Sequence, residues 1–232
     1  MSRLERTELM LGTEAIKKLS KSHVAVFGLG GVGGYAVEAL ARSGVGEITV
    51  LDCDVFSESN LNRQLYATKD TVGQNKTQVT AERILSVAPD CTVHPIDLFY
   101  TPENAHTVDL SSFDYIIDAI DTVTSKIHLI CQATEQAIPI ISSMGTGNKT
   151  DPTQLKVTDL YKTQGCPLAR VLRKELKQRN IPKLKVVYSE EEPKKTVIAD
   201  DSTGRHAPGS MVFVPACAGL ILAREVVMEL IK

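Results

Sequence analysis

The sequence predicts an α/β protein with a Rossmann-like, doubly wound and mainly parallel sheet. The first reason is residues 23–54, which read as strand, glycine-rich turn, helix and strand. The second is the alternation of strand and helix patterns up to residue 144, which is typical of a parallel sheet covered by helices on both faces. The third is composition, because 232 residues with 43% apolar and 23% charged side chains are enough for one globular core.

We expect a single domain in three parts. Residues 1–22 have a helical pattern and form an arm, residues 23–144 form a nucleotide-binding core, and residues 145–232 form an extension that completes the sheet and faces the substrate. Within the extension, the polar segment 189–209 is predicted to be mobile. The apolar run 211–223 is predicted to be a buried strand leading into a terminal helix, and it is too short to span a bilayer.

The glycine-rich turn and the carboxylate that follows it predict a nucleotide site. An apolar strand ends at Phe27, and a helix with an apolar face begins near Gly33, so its free N–H groups point at the turn. Asp52 ends the next strand about 20 residues later, where a carboxylate accepts a hydrogen bond from a ribose hydroxyl; its alternative role is a strand-end cap. The turn alone does not distinguish ATP from a dinucleotide. Its glycines are Gly28, Gly30, Gly31 and Gly33.

A long polar connection after Asp54 carries the second candidate cluster. Asn60 and Arg63 are three residues apart and share a face, Gln64 is adjacent, and Lys76 opens the next helix. Two cations beside a nucleotide turn favour a triphosphate, because its charge has to be neutralised when pyrophosphate leaves. The alternative is an ordinary solvated loop.

Two carboxylates follow the strand 115–117, at the edge where open α/β sheets bind ligands. We predict that Asp121 binds Mg²⁺ bridging phosphates, and that Asp118 has a capping or structural role. The alternative for both is the N-cap of the next helix.

Charge and cysteine content narrow the class of protein. The net charge of −2 argues against a generally basic surface, but residues 162–195 hold ten Lys and Arg against four Glu, a local excess of +6. This excess favours contacts with phosphates, and its alternative is a solvated helix face.

Five scattered cysteines without a C-x-x-C pair argue against a structural zinc site, and with no signal peptide predicted they favour the reducing cytoplasm.

Five ordered motifs over about residues 3–145 resemble those of the ubiquitin-activating-enzyme-like (ThiF/MoeB) superfamily. The resemblance implies binding of ATP and Mg²⁺, attack of a substrate carboxylate on the α-phosphate, and an acyl-adenylate with release of pyrophosphate. The motifs are GLGGVGG from Gly28, D-x-D at 52–54, S-N-L-N-R-Q at 59–64, G-Q-N-K at 73–76 and D-A-I-D at 118–121.

The same resemblance assigns roles to individual residues. Asp52 would hold the ribose and Asp121 would bind Mg²⁺. Arg6, in R-L-E-R at 3–6, matches an arginine that the family sends into the ATP site of the partner subunit, which implies a homodimer. The implied phosphate contacts are Asn60, Arg63 and Lys76, the wider cofactor-binding set includes Asp54 and Gln64, and the implied catalytic residues are Arg6, Arg63, Lys76 and Asp121.

The second half is similar to the tRNA threonylcarbamoyladenosine dehydratase branch of that superfamily. This similarity implies ATP-dependent cyclisation of threonylcarbamoyladenosine beside the tRNA anticodon, with a sulfur-relay protein as a further candidate partner. Cys166 stands where the branch more often has Asp, and it is either a functional thiol or a small residue at a helix start. The matching segments are 145–154, 157–160, 162–163, 167–173 and 208–215.

Three other classes of protein stay open. The first is an enzyme that adenylates the C-terminal glycine of a ubiquitin-like sulfur carrier, against which stand the missing C-x-x-C pairs and Thr122 in place of the usual Asn. The second is a non-catalytic nucleotide-binding module. The third is a nicotinamide-dependent dehydrogenase, which has no use for the cations Arg63 and Lys76.

Overall fold

A computed structural model describes residues 2–194 and 208–232. Its centre is a seven-stranded sheet in the order β3-β2-β1-β4-β5-β7-β6. All neighbouring strands are parallel except β6, which pairs antiparallel with β7 at one edge. The strands are β1 His23–Phe27, β2 Glu47–Asp52, β3 Thr92–Asp97, β4 Tyr115–Asp118, β5 Ile140–Ser143, β6 Leu155–Asp159 and β7 Lys185–Ser189.

Helices cover both faces of the sheet, as the alternating pattern predicts. The first face packs against α3, α4 and α7 and the second against α5 and α6, so the central strands are buried on both sides. The helices are α1 Glu5–Leu11, α2 Thr13–Leu19, α3 Gly33–Ser43, α4 Lys76–Val87, α5 Val123–Glu135, α6 Pro167–Gln178 and α7 Phe213–Leu230.

The strand order reverses between β1 and β4, which places a crevice at their carboxyl ends. The chain leaves β1 towards β2 and β3, and it later returns on the other side of β1 to form β4. Loops after β1 and β4 therefore diverge to opposite faces, and open α/β sheets bind ligands in the gap that this leaves. The extension does complete the sheet, because β6 and β7 are its last two strands.

The predicted strand within 211–223 is wrong, because these residues begin α7. A continuous apolar run has the same pattern in a buried helix and in a buried strand, so periodicity does not separate them. Small residues decide the outcome: α7 packs so closely on α3 that a Cβ at Gly219 would lie 2.3 Å from the Val32 carbonyl oxygen. Pro215 lies in the first turn of the helix, where its missing N–H has no helical partner.

The N-terminal arm is helical as predicted, but Gly12 divides it into two short helices. Gly12 has a φ of 87°, which favours glycine and ends α1. Arg3 pairs with Asp90 at 2.7 Å and donates to the Ala41 carbonyl at 3.0 Å, so the arm is attached near the end of α3. In the described part of the chain, no helix is long and apolar enough to cross a membrane.

The segment 189–209, predicted to be mobile, begins with residues that are held in place. Ser189 ends β7, and the buried Glu191 accepts hydrogen bonds from the backbone N–H groups of Thr150 and Asp151, each at 2.9 Å from Oε2. The prediction for 195–207 lies outside the described residues.

We expect Gly219→Val to lower the free energy of unfolding by about 2–3 kcal/mol or more, because the new side chain overlaps the Val32 backbone. Urea denaturation followed by circular dichroism measures the change. Leu220→Val is the control, since Leu220 is exposed on the same helix and loses little packing. Equal stability of the two variants would contradict the close packing of α7 on α3.

Candidate active site

A cleft of about 670 Å³ lies at the carboxyl ends of β1, β2 and β4. It brings together ten of the site residues that the sequence predicts. Two predicted residues, Gly33 and Arg6, do not line it. The ten are Gly28, Gly30, Gly31, Asp52, Asp54, Asn60, Arg63, Gln64, Lys76 and Asp121.

The glycine turn is shaped by close backbone approaches. Gly28 has a φ of 91°, and a Cβ there would lie 2.7 Å from the Ala119 carbonyl oxygen, in the loop after β4. A Cβ at Gly33 would lie 1.8 Å from the Gly28 carbonyl oxygen. Gly33 thus lets α3 begin directly against the turn, and the cofactor contact that the sequence assigns to it stays a prediction.

Asp52 braces the turn from the next strand. Its Oδ2 accepts a hydrogen bond from the Leu29 N–H at 2.6 Å, and its Oδ1 accepts one from the Asp54 N–H at 2.9 Å. Each carboxylate oxygen has a further lone pair, so the group can still accept from a ligand hydroxyl. Strand-end capping and ligand binding, which the sequence presents as alternatives for Asp52, are thus compatible.

Lys76 is buried between two carboxylates. Its Nζ lies 2.8 Å from Asp54 Oδ2 and 3.8 Å from Asp52 Oδ1, and 6% of its side chain is exposed. Lys76 is the first residue of α4, whose N-cap Asn75 accepts from the Thr77 N–H at 2.9 Å. The sequence predicts that Lys76 contacts phosphates directly. In the structure its ammonium group is held by Asp54, so a bound phosphate would have to compete with that carboxylate.

The loop before α4 presents Arg63 and Gln64 to the cleft. Arg63 Nη1 donates to the Ser59 carbonyl at 2.7 Å, which directs the guanidinium without neutralising it. Gln64 is buried, and its Oε1 has no hydrogen-bond partner in the part of the chain that the structure describes. A buried amide oxygen without a partner is costly, so this atom is suited to accept from a bound molecule.

Asn60 is the predicted phosphate contact with the strongest structural role. Its side chain accepts from the Ser57 N–H at 3.1 Å and closes a capping box around a short 3-10 helix, Glu58–Asn60. Its amide nitrogen and the second lone pair of Oδ1 are then left for a ligand.

Asp118 has the structural role that the sequence predicts, whereas Mg²⁺ binding by Asp121 stays a prediction. Asp118 is fully buried, accepts from Lys126 Nζ at 2.8 Å and from Ser142 Oγ at 2.6 Å, and so anchors the end of β4. Asp121 is exposed at the rim, where Thr122 Oγ1 lies 3.4 Å from its carboxylate. One open carboxylate beside a phosphate site fits Mg²⁺, which is usually bound by one or two carboxylates, waters and phosphate oxygens.

The loop after β3 adds an aromatic wall that the sequence did not suggest. Phe99 is 53% exposed, and Tyr100 is buried with its ring 5.2 Å from that of Phe27. Burial raises the pKa of Tyr100 to about 12, so the phenol stays protonated at neutral pH. Only the position of this loop in the fold could have indicated the wall, because the loop leaves the carboxyl end of β3, the strand beside β2.

Residues of the extension form the opposite wall of the cleft. Asn62 Nδ2 donates to the Ser210 carbonyl at 2.9 Å, which connects the extension to the Arg63 loop. Cys166 is 2% exposed, does not line the cleft and packs with α6, so its position favours the small residue at a helix start over the functional thiol. The extension residues that line the cleft are Gly145, Thr146, Gly147, Leu168, Pro208 and Ser210.

The fold and the cleft define a member of the ThiF family. Residues 2–231 match that family, so the chain belongs to it. The chain is 43% identical over 243 residues to the tRNA threonylcarbamoyladenosine dehydratase of Bacillus subtilis (strain 168), a match that covers 100% of this chain and 96% of the relative. Crystal structures of E. coli tRNA N6-threonylcarbamoyladenosine dehydratase in complex with AMP and with ATP are similar, with TM-scores of 0.88 and 0.87; each is 36% identical and covers 98% of this chain and 93% of that one.

The buried pair Asp118–Lys126 gives a stability prediction. We expect Lys126→Met to cost about 3–5 kcal/mol, because it leaves a fully buried carboxylate without its cation. The double substitution Asp118→Asn with Lys126→Met should recover part of that loss. Chemical denaturation of both variants tests this, with the exposed Lys177→Met on α6 as a control. A single variant as stable as the double one would contradict the assignment.

Proposed function

We propose that this chain is an ATP-dependent tRNA threonylcarbamoyladenosine dehydratase that works through a carboxyl-adenylate. The observation that carries the proposal is the single cleft that collects Asp52, Arg63, Lys76 and Asp121 on a chain matched over its whole length by enzymes of that name. The other ATP-binding classes considered do not explain that full-length match.

The glycine turn and the aromatic wall would position the nucleoside of ATP. Asp52 accepts from a ribose hydroxyl while it keeps the turn in place through Leu29. The phosphates then lie over the turn, near the amino end of α3, where free N–H groups favour negative charge. Gln64 Oε1, buried at the cleft, accepts from the nucleotide or from the water around it.

The cations of the cleft would stabilise the departing pyrophosphate. Arg63 is directed by Ser59, and Lys76 is held between Asp52 and Asp54, so neither has to be ordered when charge develops. Asp121 would hold Mg²⁺ together with phosphate oxygens, and the ion would add to the neutralisation of charge. These groups act on the leaving pyrophosphate as the threonyl carboxylate of the substrate attacks the α-phosphorus.

The second step needs no nucleophile from the enzyme. The carbamoyl group of the substrate closes on the activated carbonyl, and AMP leaves with the oxygen that the carboxylate has lost. The net change is loss of one water from the modified base and cleavage of ATP to AMP and pyrophosphate. Because both reacting groups belong to one substituent, proximity accelerates the closure. This agrees with the position of Cys166 outside the cleft.

The exposed side of α6 would contact the tRNA backbone. Arg170, Lys174 and Lys177 are exposed on it, and Leu168 of the same helix lines the cleft. Arg173 of the same helix instead donates to the Thr163 carbonyl at 2.9 Å and is held inside the extension. Three lysine and arginine side chains beside the cleft match the phosphate contacts that a tRNA substrate needs.

We infer a homodimer in which Arg6 enters the partner's site. Arg6 does not line the cleft of its own chain, and the arm that carries it is attached near the end of α3 far from the glycine turn. Leu9 and Met10 of the same helix are 84% and 85% exposed, an apolar surface that a second copy would cover. We also propose a cytoplasmic location, because the proposed substrate is a tRNA and the five cysteines are free. A sulfur-relay partner stays a prediction of the sequence.

Mass spectrometry of the anticodon-loop nucleoside tests the proposed reaction. The protein incubated with ATP, Mg²⁺ and tRNA carrying threonylcarbamoyladenosine should remove one water from the base. We expect Asp121→Ala to slow the reaction by about 100-fold or more, because charge on the leaving pyrophosphate is less well neutralised. Asp70→Ala is the control, since Asp70 is exposed in the loop before α4.

Four outcomes would contradict the proposal or one of its parts. Unchanged product formation by Asp121→Ala would remove that carboxylate from the reaction. Exchange of pyrophosphate into ATP that depends on a ubiquitin-like sulfur carrier and not on the modified tRNA would instead establish sulfur-carrier adenylation. Tighter binding of NAD than of ATP in calorimetry would indicate a dehydrogenase, and ATP binding without product would indicate a non-catalytic module.

Mixing two inactive variants tests Arg6 in trans. We expect Arg6→Ala and Asp121→Ala each to be inactive alone, while a heterodimer holds one site with both lesions and one site with neither. Random exchange of subunits would then restore roughly a quarter of the wild-type sites. No recovery, in a mixture shown by native mass spectrometry to contain heterodimers, would contradict the trans arrangement.

A further inference from the structure

Three potential metal ligands meet at the end of the sheet opposite the cleft. His23 begins β1, and Glu47 begins β2 directly beside it in the parallel register. His94 lies on β3, opposite Thr49 of β2, so it shares a face with Glu47, two residues earlier on that strand. Three neighbouring strands therefore each supply one side chain to a single place.

The donor atoms of these side chains are close enough for one ion. His23 Nδ1 lies 3.6 Å and His94 Nε2 lies 2.7 Å from the same atom, Glu47 Oε1, and one donor atom from each residue lies within 4.8 Å of the other two. Two ligands at about 2.1 Å from a tetrahedral Zn²⁺ are separated by about 3.4 Å. The His23–Glu47 distance already corresponds to this, and the His94–Glu47 pair, which now forms a hydrogen bond, has to open slightly.

His23, the least exposed of the three side chains, is oriented as a ligand requires. His23 Nε2 lies 2.8 Å from Thr49 Oγ1, and the edge contact with Phe113, at 4.9 Å between ring centroids, fixes the ring plane. In the tautomer that donates from Nε2 to Thr49, Nδ1 carries a lone pair directed towards Glu47. Such an outer hydrogen bond is the usual support of a metal-bound histidine.

The three side chains are exposed to different extents. The side chain of His23 is 14% exposed, whereas those of Glu47 and His94 are 41% and 46% exposed. Glu47 and His94 can therefore adjust their rotamers at little cost, and the exposed side leaves a fourth position for water. The Asp114 carboxylate accepts from the His23 backbone N–H at 2.7 Å and adds negative charge near the ring.

We propose that His23, Glu47 and His94 form a binding site for a divalent transition metal ion of the Zn²⁺ class. Two imidazoles and one carboxylate suit such an ion and are a poor set for Mg²⁺, which prefers oxygen ligands. The ion would join β1, β2 and β3 at their amino ends, away from the cleft, and would stabilise the folded chain because no such cluster exists in the unfolded one.

Zn²⁺ added to metal-free protein in excess Mg²⁺ tests the proposal. Titration calorimetry should show one Zn²⁺ per chain, and Co²⁺ in its place should give the visible absorption of a tetrahedral nitrogen and oxygen site. At about 100 times the dissociation constant, Zn²⁺ should raise Tm by about 5–10 °C. The metal is measured directly, so the result does not depend on the adenylation reaction.

Variants locate the ion. His94→Gln should weaken Zn²⁺ binding at least tenfold and abolish the Tm shift without harming the fold, because His94 is half exposed and bonds only Glu47 among the described residues. Thr49→Val should weaken binding by about tenfold, since it removes only the support of the His23 ring. His106→Gln is the matched control, as His106 is exposed in a short 3-10 helix outside the cluster.

Cys53→Ser separates this site from the cleft. Asp52, Cys53 and Asp54 are the other group of donor atoms close enough for an ion in the described part of the chain. Burial raises the pKa of the Cys53 thiol, and the carboxylates of Asp54 and Asp52 raise it further. The thiol is therefore a poor zinc ligand. The proposal would be overturned if His94→Gln bound Zn²⁺ as tightly as the wild type, or if Cys53→Ser lost Zn²⁺ binding. Wild-type protein that binds no Zn²⁺ would also overturn it.

Discussion

The carboxylate of Asp52 is the interaction on which the rest of the cleft depends. One of its oxygens holds the Leu29 N–H and with it the glycine turn, and the other holds the Asp54 N–H at the start of the polar connection. The same group attracts Lys76, which lies across the cleft floor. A single side chain thus fixes the positions of the glycine turn, the loop that follows β2 and a cation. The nucleotide meets a site whose parts are already joined.

Two buried lysines, Lys76 in the cleft and Lys126 behind β4, are each compensated by carboxylates. Lys76 is enclosed by Asp52 and Asp54, and Lys126 is buried against Asp118, so neither cation enters the interior alone. The pair at β4 is closed and structural, since Ser142 completes the hydrogen bonds of Asp118. The group around Lys76 is partly open, because 64% of the Asp54 side chain is exposed. That difference separates an ion pair that maintains the fold from one that a ligand can reorganise.

Sequence patterns predicted most of the fold and most of the cleft, because both depend on local periodicity and on fixed spacing. Strand, turn and helix around Gly28 follow from apolar spacing, and ten site residues converge because parallel strands end at one edge. What failed depends on contacts that periodicity does not show. The α7 region reads equally as strand or helix until Gly219 meets Val32. The bonding of Arg173 to Thr163 has no sequence signal either.

The contact of α7 with α3 has a consequence for how the protein is made. Gly219 packs on the Val32 carbonyl, and a Cβ at Gly31 would lie 3.4 Å from Pro215, so the last helix supports the turn formed by residues 28–33. During synthesis the turn leaves the ribosome roughly 180 residues ahead of that support, when chains elongate at about 5–20 residues per second. For that interval the part of α3 that packs on α7 is uncovered. The nascent chain therefore carries this turn without its support until α7 has been synthesised.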